Sequence, residues 1–455
     1  MTDQLTTPSP APESPQPPAL RRLPRALTPF RHSAYRRLGA ALVLGTFAGG
    51  VWVVALVWEV IRIGGGPGQL SVVTTAGAIG VLVPALLGGV VADRVPQKLI
   101  LLAVAGVELT GMALVATLSW LDLTQVWHLA AVSFATGVAM AFYYPAYSAW
   151  LPALVPEEDL LAVNGFEGMI RPTIGQALGP GLAGVVVGTV STSAALGLAA
   201  GFHLVGLLAL TAVPLTAVRR DLEEARDGHP VTTALADMRE GFSYMVRTPW
   251  LLATLLFASI LILVMMGPME VLIPFLVKDK LGGGPGDHAI VMAAFGIGGA
   301  VGSITMASLK MPRRYLTVMI LGWGVGCLPF LAIGYADAVW IVVVAAFFIG
   351  AFFSGPMVIW GTLLQRRVPP HLLGRVASLD FFVSVSLMPV SMAMAGPVSH
   401  WLGLEATFAI AAFVPTVVAA VAVWWAKLPA DELAHPLRDA DPDLESDPES
   451  DTMPA

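Results

Sequence analysis

Apolar stretches of about 20 residues recur along this chain from Leu38 almost to Lys427, separated by short charged or Gly/Pro-rich breaks. A helix of about that length crosses the roughly 30 Å hydrocarbon layer of a bilayer. Of the 455 residues, 56% are hydrophobic and 12% are charged, whereas an ordinary soluble domain has about 25% charged residues. The sequence therefore predicts an all-α protein that crosses a membrane many times, with the lipid bilayer as its solvent.

The breaks define twelve spans in two sets of six. The first set is 38–61, 70–92, 98–120, 126–150, 160–190 and 193–218. The second set is 250–277, 288–309, 315–335, 338–364, 374–400 and 406–427. We therefore expect a basic arm (1–37), an N-terminal six-helix bundle (38–218), a cytoplasmic linker (219–249), a C-terminal six-helix bundle (250–427) and an acidic tail (428–455). The arm and the tail are rich in Pro and polar residues and are expected to be disordered, because they hold too little apolar surface to pack.

The basic residues predict the orientation of the chain. With the N-terminus inside, most of the 25 Lys and Arg residues fall in the arm, the linker and the loops of one side, and the other side keeps Arg62, Lys278 and Lys280. Positively charged loops stay in the cytoplasm. Both termini are therefore expected in the cytoplasm, and the protein in the cell (inner) membrane. Residues 1–20 hold no apolar run typical of a cleaved signal peptide.

The two sets of spans repeat one another. The run GGGPG at 64–68 recurs at 282–286, and the pattern Leu-x-x-x-Val-Pro at 151–156 recurs at 364–369. Duplicated halves related by an axis along the membrane normal are typical of transporters, which bind substrate between the halves near the bilayer midplane. The repeat therefore predicts two pseudo-symmetric six-helix halves around a shared site.

The loop between the second and third spans, GGVVADRVPQK at 88–98, resembles the signature of the major facilitator superfamily. The matching residues are Gly89, Asp93, Arg94 and Lys98. Pro96 replaces the usual Gly of the signature, and Gln97 replaces a usual basic residue. The resemblance implies a cytoplasmic gate, in which the Asp pairs reversibly with helix termini and basic residues of the other half. The alternative is that Asp93 and Arg94 only set the orientation of the chain.

The fifth span contains GQALGPGLAG at 175–184, which resembles a motif of exporters in the same superfamily. The motif residues are Gly175, Gly179, Pro180 and Gly184, and Ala183 replaces one Gly of the family pattern. Small residues at this spacing let helices approach closely, and proline removes a backbone donor and bends the helix. The resemblance favours export over uptake, and helix packing alone is the alternative explanation.

Two further segments, 143–165 and 363–382, resemble the drug:proton antiporter branch that contains macrolide-efflux proteins and the enterobactin exporter. Together the resemblances cover roughly Phe30 to Lys427. They imply a twelve-helix major facilitator fold and efflux of small amphipathic molecules by alternating access. The expected partners are the substrate, protons and the lipid bilayer, and the proton gradient takes the place of a cofactor. Drugs, siderophore-like metabolites and other cargo remain open as substrates.

Several charged residues fall inside the predicted spans, where each costs roughly 2.5 to 3.5 kcal/mol on insertion scales. Glu167 and Arg171 are spaced i,i+4 and are expected to pair on one helix face. The repeat places Asp380 opposite Glu167. These groups either act as latches or proton relays, or the acids offset a buried Arg.

Two other acids are candidates for proton coupling, because the first and seventh helices line the central cavity in the family. Glu270 is flanked by Pro268 and Pro274, has no basic neighbour in sequence, and is the first choice. Glu59 either exchanges protons or simply pairs with Arg62. Glu108 and His203 lie in the third and sixth spans, which are usually peripheral in this fold, and a structural role is expected for both.

Large side chains in the spans are candidates for a substrate wall, since aromatic rings stack on drug-sized ligands and Met adapts to different shapes. The candidates are Trp52, Tyr143, Tyr147, Met266 and Trp360. Ordinary packing or an aromatic belt at the membrane surface would also explain them.

Other classes of protein fit the sequence poorly. The chain contains no Gly-Lys pair and therefore no phosphate-binding loop for direct ATP coupling. One Cys and eight scattered His predict neither a metal site nor a membrane enzyme. No nucleic-acid partner is expected, and the protein is expected to be a monomer. An uptake permease of the same fold and a non-transporting membrane receptor or scaffold remain alternatives.

Overall fold

A computed structural model of the chain describes residues 25–85, 91, 95–216 and 230–437. Within these ranges the chain forms helices joined by short turns, and no β-strand. The predicted all-α membrane fold is confirmed. The gate residues Gly89, Asp93 and Arg94 lie outside the described residues.

The long helices are numbered α1 to α12. The first six are α1 (Ser33–Arg62), α2 (Pro67–Leu82), α3 (Gln97–Trp120), α4 (Val126–Leu154), α5 (157–189) and α6 (Thr192–Thr211). The second six are α7 (Pro249–Lys280), α8 (Pro285–Ser308), α9 (Tyr315–Gly334), α10 (Val339–Arg367), α11 (370–402) and α12 (Leu404–Trp425). Ten helices of the described part are long and apolar enough to cross a membrane. The other two are α2, described over 16 residues, and the discontinuous α5.

Helices α5 and α7 change winding within their length. Helix α5 becomes a π-helix over Arg171–Leu178 and then α-helical again from Gly179, and α7 has π segments at Pro268–Leu272 and Leu276–Lys280. Pro172 and Pro268 lie at the starts of two of these segments. Proline lacks the N–H of the α-helical ladder, so the chain widens or bends where it occurs, and neighbouring helices tolerate this in a membrane bundle.

The helices pack in two groups that meet along two pairs. Helices α1, α3 and α6 pack together, as do α9, α10 and α12, and contacts between the groups run mainly between α2 and α11 and between α5 and α8. The backbone N–H of Gly396 donates to the Ser71 hydroxyl at 3.1 Å, which joins α11 to α2. This arrangement agrees with the predicted pair of pseudo-symmetric halves.

The loops identify the two ends of the bundle. The end that carries Arg25–Arg31 and Leu428–Ala434 is called the terminal end, and the opposite end the distal end. At the distal end Arg62 contacts Asp122 at 2.6 Å across the α1–α2 and α3–α4 loops. Contacts between the halves near residues 68–71 and 396 also lie at the distal end, because α2 begins there and α11 ends there.

Short helices dock at the terminal end, where the sequence predicted disorder. Leu428–Ala434 is helical and Leu428 is fully buried. The carboxylate of Glu432 accepts the backbone N–H of Thr317 at 2.6 Å, at the N-terminus of α9. The prediction of a disordered tail from residue 428 is wrong for these residues, because a capping carboxylate and a buried Leu hold them.

The end of the arm is ordered in the same way. Arg25–Arg31 forms a 3-10 helix and α1 begins at Ser33, within the predicted disordered arm. Asp159 at the start of α5 accepts the Thr28 hydroxyl at 2.6 Å and contacts His32 Nε2 at 3.0 Å. The Thr28 hydrogen bond, with His32 as the second partner, lowers the pKa of the Asp159 carboxyl.

Candidate functional site

A cavity of about 580 Å³ lies within the first six helices. All of α1 to α6 contribute to its wall, and Met388 and Met392 of α11 complete it from the other half. Its volume falls within the roughly 300 to 1,000 Å³ of sites that hold drug-sized ligands. Most of this cavity lies inside the N-terminal half, and the substrate site between the halves stays a prediction.

The wall of the cavity is mainly apolar and carries a few polar groups. Apolar side chains such as Leu42, Val104 and Met140 form its surface. The residues of the wall with ionisable side chains are Glu108, Tyr143, Arg171 and His203. An apolar wall with a few polar groups can hold the body of an amphipathic molecule and orient its polar end.

Two of the five predicted substrate residues line this cavity. Trp52 and Tyr143 are part of its wall. Tyr147 is buried behind Tyr143, with the ring centroids 5.7 Å apart. Met266 packs against the hydrophobic core, and Trp360 lies in the other half. The structure therefore places Tyr147, Met266 and Trp360 away from the cavity, since they face helix neighbours that the sequence did not reveal.

Glu108 and His203 meet at the cavity wall. His203 Nδ1 lies 3.5 Å from Glu108 Oε2, and both side chains are mostly buried. The packing of α3 against α6 brings them together. Sequence analysis assigned both a structural role in peripheral helices, and their position in the cavity was missed. The sequence feature that could have indicated this contact is the presence of two titratable residues in different apolar spans of the same half.

Arg171 also lines the cavity but does not pair with Glu167. Its guanidinium lies over the Tyr144 ring, 5.3 Å from the centroid. The Arg171 N–H donates to the Glu167 carbonyl oxygen, so the two residues keep α-helical spacing, and the guanidinium lies against the Tyr144 ring rather than the carboxylate. Glu167 Oε1 is buried and has no hydrogen-bond partner among the described atoms. The predicted Glu167–Arg171 ion pair is absent from the structure.

The other half has a related but different arrangement. Trp360 Nε1 donates to Asp380 Oδ2 at 3.0 Å, and the Ser384 hydroxyl lies 3.4 Å from Oδ1. The repeat relates Trp360 to Tyr147 and Asp380 to Glu167, because each pair is offset by 213 residues. The acid accepts hydrogen bonds in the C-terminal half, and in the N-terminal half the Tyr147 hydroxyl and the Glu167 carboxylate adjoin each other without a hydrogen bond of good geometry.

Glu59 is held by a network at the distal end. Its side chain is fully buried, and Arg62 donates to both carboxylate oxygens, at 2.8 and 2.9 Å. The Ser119 hydroxyl donates to Oε2 at 2.9 Å. This geometry corresponds to the alternative in which Glu59 pairs with Arg62, and a paired and hydrogen-bonded carboxylate is poorly suited to exchanging protons.

Glu270 lies in the first π segment of α7, which contacts α2, α11 and α12. It is half-buried and has neither an ion-pair nor a hydrogen-bond partner among the described residues. Nearby, the backbone N–H of Gly267 donates to the Ser391 hydroxyl at 2.8 Å, which joins α7 to α11. Glu270 is therefore an unpaired acid close to the distal contact between the halves, outside the wall of the cavity.

Of the predicted gate residues, Lys98 lies in the described part of the chain. Its ammonium donates to the carbonyl oxygens of Thr211, at 2.8 Å, and Val213, at 2.5 Å. A cation at the C-terminal end of a helix satisfies unpaired carbonyls and the helix dipole. Lys98 therefore joins α3 to the end of α6 within its own half.

The helix-five motif contacts two different neighbours. A Cβ atom at Gly179 would lie 2.9 Å from the Cα of Gly50 in α1, and Gly50 also contacts Gly175 and Pro180. A Cβ atom at Gly184 would collide with Ala289 of α8 and lie 3.0 Å from the Pro285 carbonyl oxygen. The first part of the motif therefore packs within the N-terminal half, and Gly184 packs against the other half.

Among the described residues, no group of three or more His, Cys, Asp or Glu side chains is placed to hold a metal ion. The arrangement instead offers an apolar binding cavity, buried acids and close helix contacts between two halves. These features suit a protein that binds and moves small molecules without altering them.

Comparisons with solved structures agree with this fold. The chain is similar to the nucleoside transporter NupG, with a TM-score of 0.66 and 14% identity over 86% of this chain and 98% of that one. It is equally similar to a POT family transporter in complex with 5-aminolevulinic acid, with a TM-score of 0.66 and 14% identity over 86% and 96% of the two chains. At these identities the likeness concerns the fold alone.

Comparisons of sequence identify the family. The multidrug efflux pump Tap of Mycolicibacterium fortuitum is 27% identical over 87% of this chain and 96% of its own length. Macrolide efflux protein A of Streptococcus pyogenes is 26% identical over 75% of this chain and 86% of its own length. A family model described as transmembrane secretion effector matches residues 25–449. The chain therefore belongs to the transmembrane secretion effector family of major facilitator transporters.

Proposed function

We propose that this protein exports small amphipathic molecules across the cell membrane in exchange for protons, by alternating access. The observation that carries the proposal is the mainly apolar cavity of about 580 Å³, which lies inside a bundle whose halves meet at the distal end. Efflux is the transport that the names of the similar pumps describe. An amphipathic substrate matches a cavity with an apolar wall and a few polar groups.

The basic residues support the orientation of the protein in the membrane. Arg25, Arg31 and Arg367 lie at the terminal end, and positively charged loops stay in the cytoplasm. The terminal end is accordingly the cytoplasmic one in this proposal. Substrate enters the cavity from the cytoplasm or the inner leaflet, and separation of the halves at α2–α11 and α5–α8 releases it outside.

Glu270 is the proposed proton-coupling acid. It is unpaired, whereas the other cavity-helix candidate, Glu59, is held by Arg62 and Ser119. Its segment contacts α2 and α11 near the distal contact between the halves. Protonation of a carboxylate at that place would alter the energy of the contact, which is how a proton can be linked to a conformational change.

Everted membrane vesicles that contain the protein test the proposal with ethidium as the probe. A pH gradient, acidic inside, should drive ethidium into the vesicles, and nigericin should abolish the accumulation. Vesicles without the protein provide the control. Ethidium movement out of such vesicles would favour an uptake permease, and the absence of gradient-dependent flux for ethidium and for a panel of amphipathic antibiotics would favour a receptor or scaffold.

A further inference from the structure

Glu108 is a buried acid that is incompletely partnered. Its carboxylate lines the cavity, and its side chain is 19% exposed. His203 Nδ1 lies 3.5 Å away, longer than the 2.7 to 3.2 Å of a good hydrogen bond. No hydrogen bond to Glu108 occurs among the described residues. The carboxylate thus retains the capacity to accept hydrogen bonds or a charge from a ligand.

Besides Glu108 and His203, two residues with ionisable side chains line the cavity. Tyr143 of α4 and Arg171 of α5 line it, together with Glu108 of α3 and His203 of α6. The guanidinium of Arg171 lies over the Tyr144 ring and makes a cation–π contact with it. Helices α1 and α2 contribute Thr46 and Thr74 but no charged side chain to the wall. Glu108 is therefore the acidic group of the cavity wall.

The wall around Glu108 favours a ligand with a large apolar part. Trp52, Val104 and Met112 lie on the N-terminal half, and Met388 and Met392 face them from α11. Aromatic and Met side chains adapt to apolar ligands of different shapes. A cation that enters such a site loses its hydration, and the free-energy cost of this desolvation is lower where the site carries an opposite charge.

We propose that Glu108 and His203 form a cation-recognition site, in which the Glu108 carboxylate binds the cationic centre of an apolar organic molecule and His203 positions that carboxylate. The inference deepens the proposed function, because it names organic cations as the substrate class. His203 is the polar side chain nearest to the carboxylate, and its ring is almost completely buried. The two Met residues of α11 place the bound molecule in contact with both halves.

The test is direct binding to the purified full-length protein in lipid nanodiscs. The two probes are tetraphenylphosphonium, a permanent organic cation, and triphenylphosphine oxide, a neutral molecule with a related apolar body. The wild-type protein should bind the cation at least about tenfold more tightly than the neutral probe, since one close charge pair is worth more than the roughly 1.4 kcal/mol of a tenfold change. Equal affinities for the wild type would overturn the inference without any variant.

Variants then show which residue is responsible for the preference for the cationic probe. Glu108→Gln should lose about tenfold or more of the affinity for the cation and keep that for the neutral probe, which also reports that the variant is folded. Glu405→Gln is the matched control, because it removes an acid that pairs with Lys280 at 3.2 Å outside the cavity. If the Glu108 and Glu405 variants bind both probes as the wild type does, the carboxylate does not recognise the cation.

His203 is tested as a positioning residue. His203→Asn keeps a donor close to the position of Nδ1 and should keep most of the cation selectivity, whereas His203→Leu should lose it while still binding the neutral probe. Equal selectivity in the two variants would remove His203 from the site. Binding is measured without transport, so a protein that binds cations selectively but moves none would contradict the proposed function and leave this inference intact.

Discussion

Gly184 gives the sharpest test of how the two halves move, because it is the residue of the helix-five motif that contacts the opposite half. A Cβ atom there would collide with Ala289 and lie 3.0 Å from the Pro285 carbonyl oxygen and 3.3 Å from the Cα of Gly286. Two of these three neighbours are backbone atoms, which cannot rotate away. Overpacking of this kind costs about 1 to 3 kcal/mol.

The strain of Gly184→Ala can be relieved by separating α5 from α8, so it should act on the equilibrium between conformations. A bias of about 1 to 3 kcal/mol changes a two-state equilibrium roughly 5- to 150-fold. Gly181→Ala is the matched control, since a Cβ atom there would meet nothing within 4 Å. Gly179→Ala is a second comparison, because its clash with Gly50 lies within the N-terminal half and should reduce stability instead.

The assay is the distance between spin labels at the exposed positions of Leu123 and Tyr335, in the α3–α4 and α9–α10 loops at the distal end of the two halves, measured by double electron–electron resonance. Cys327 is buried and is the only native cysteine, so labels can be introduced at chosen sites without removing it. Gly184→Ala should increase the population with a long distance, and Gly181→Ala should leave it unchanged. Identical distance distributions for these two variants would refute the idea that Gly184 holds the halves together.

Three further perturbations follow from the buried and interfacial charges. Arg62→Gln should lower the free energy of unfolding by about 3 to 5 kcal/mol, because it leaves the fully buried Glu59 uncompensated, and thermal unfolding with a variant of the exposed Arg313, Arg313→Gln, as the control measures it. Asp159 has a lowered pKa, so its stabilising contacts are present above its unfolded pKa and are lost as the pH falls through the folded one. Hydrogen-exchange protection of 25–32, relative to the intrinsic rate at each pH, should therefore fall at acidic pH, and this pH dependence should be weaker in Asp159→Asn. Glu270→Gln should make export insensitive to the pH gradient, and an unchanged pH dependence in vesicles would contradict the assignment.

The local sequence patterns of the chain were sufficient to predict the fold. Apolar runs of the length of a bilayer, the repeat of GGGPG and the helix-five motif predicted a twelve-helix transporter in two halves, and the helices and the family agree with that prediction. These patterns are local because each span must satisfy its backbone and its lipid contacts by itself. The ordered residues at both ends were not foreseen, since their partners Asp159 and Thr317 lie in helices far away in sequence.

The site could be predicted only in part. Of the proposed substrate residues, Trp52 and Tyr143 line the cavity described above, and Tyr147, Met266 and Trp360 do not. The i,i+4 rule suggested an ion pair for Arg171, and the pair is absent although the α-helical spacing is kept, because the guanidinium lies over the Tyr144 ring of another helix. Local spacing shows which residues of one helix are neighbours, but it does not show which groups a second helix places beside them.

Glu59, Glu108 and Glu270 look alike in the sequence, as single acids in apolar runs. Sequence alone settled that all three lie in a membrane bundle and that each must have a reason to be there. Their different surroundings came from tertiary packing: Arg62 and Ser119 neutralise the first, a cavity and His203 adjoin the second, and the third has no partner among the described residues. The role of a buried charge depends on which groups of other helices lie within a few ångströms of it. Those neighbours are set by how the helices pack against each other and not by the residue pattern along any one helix.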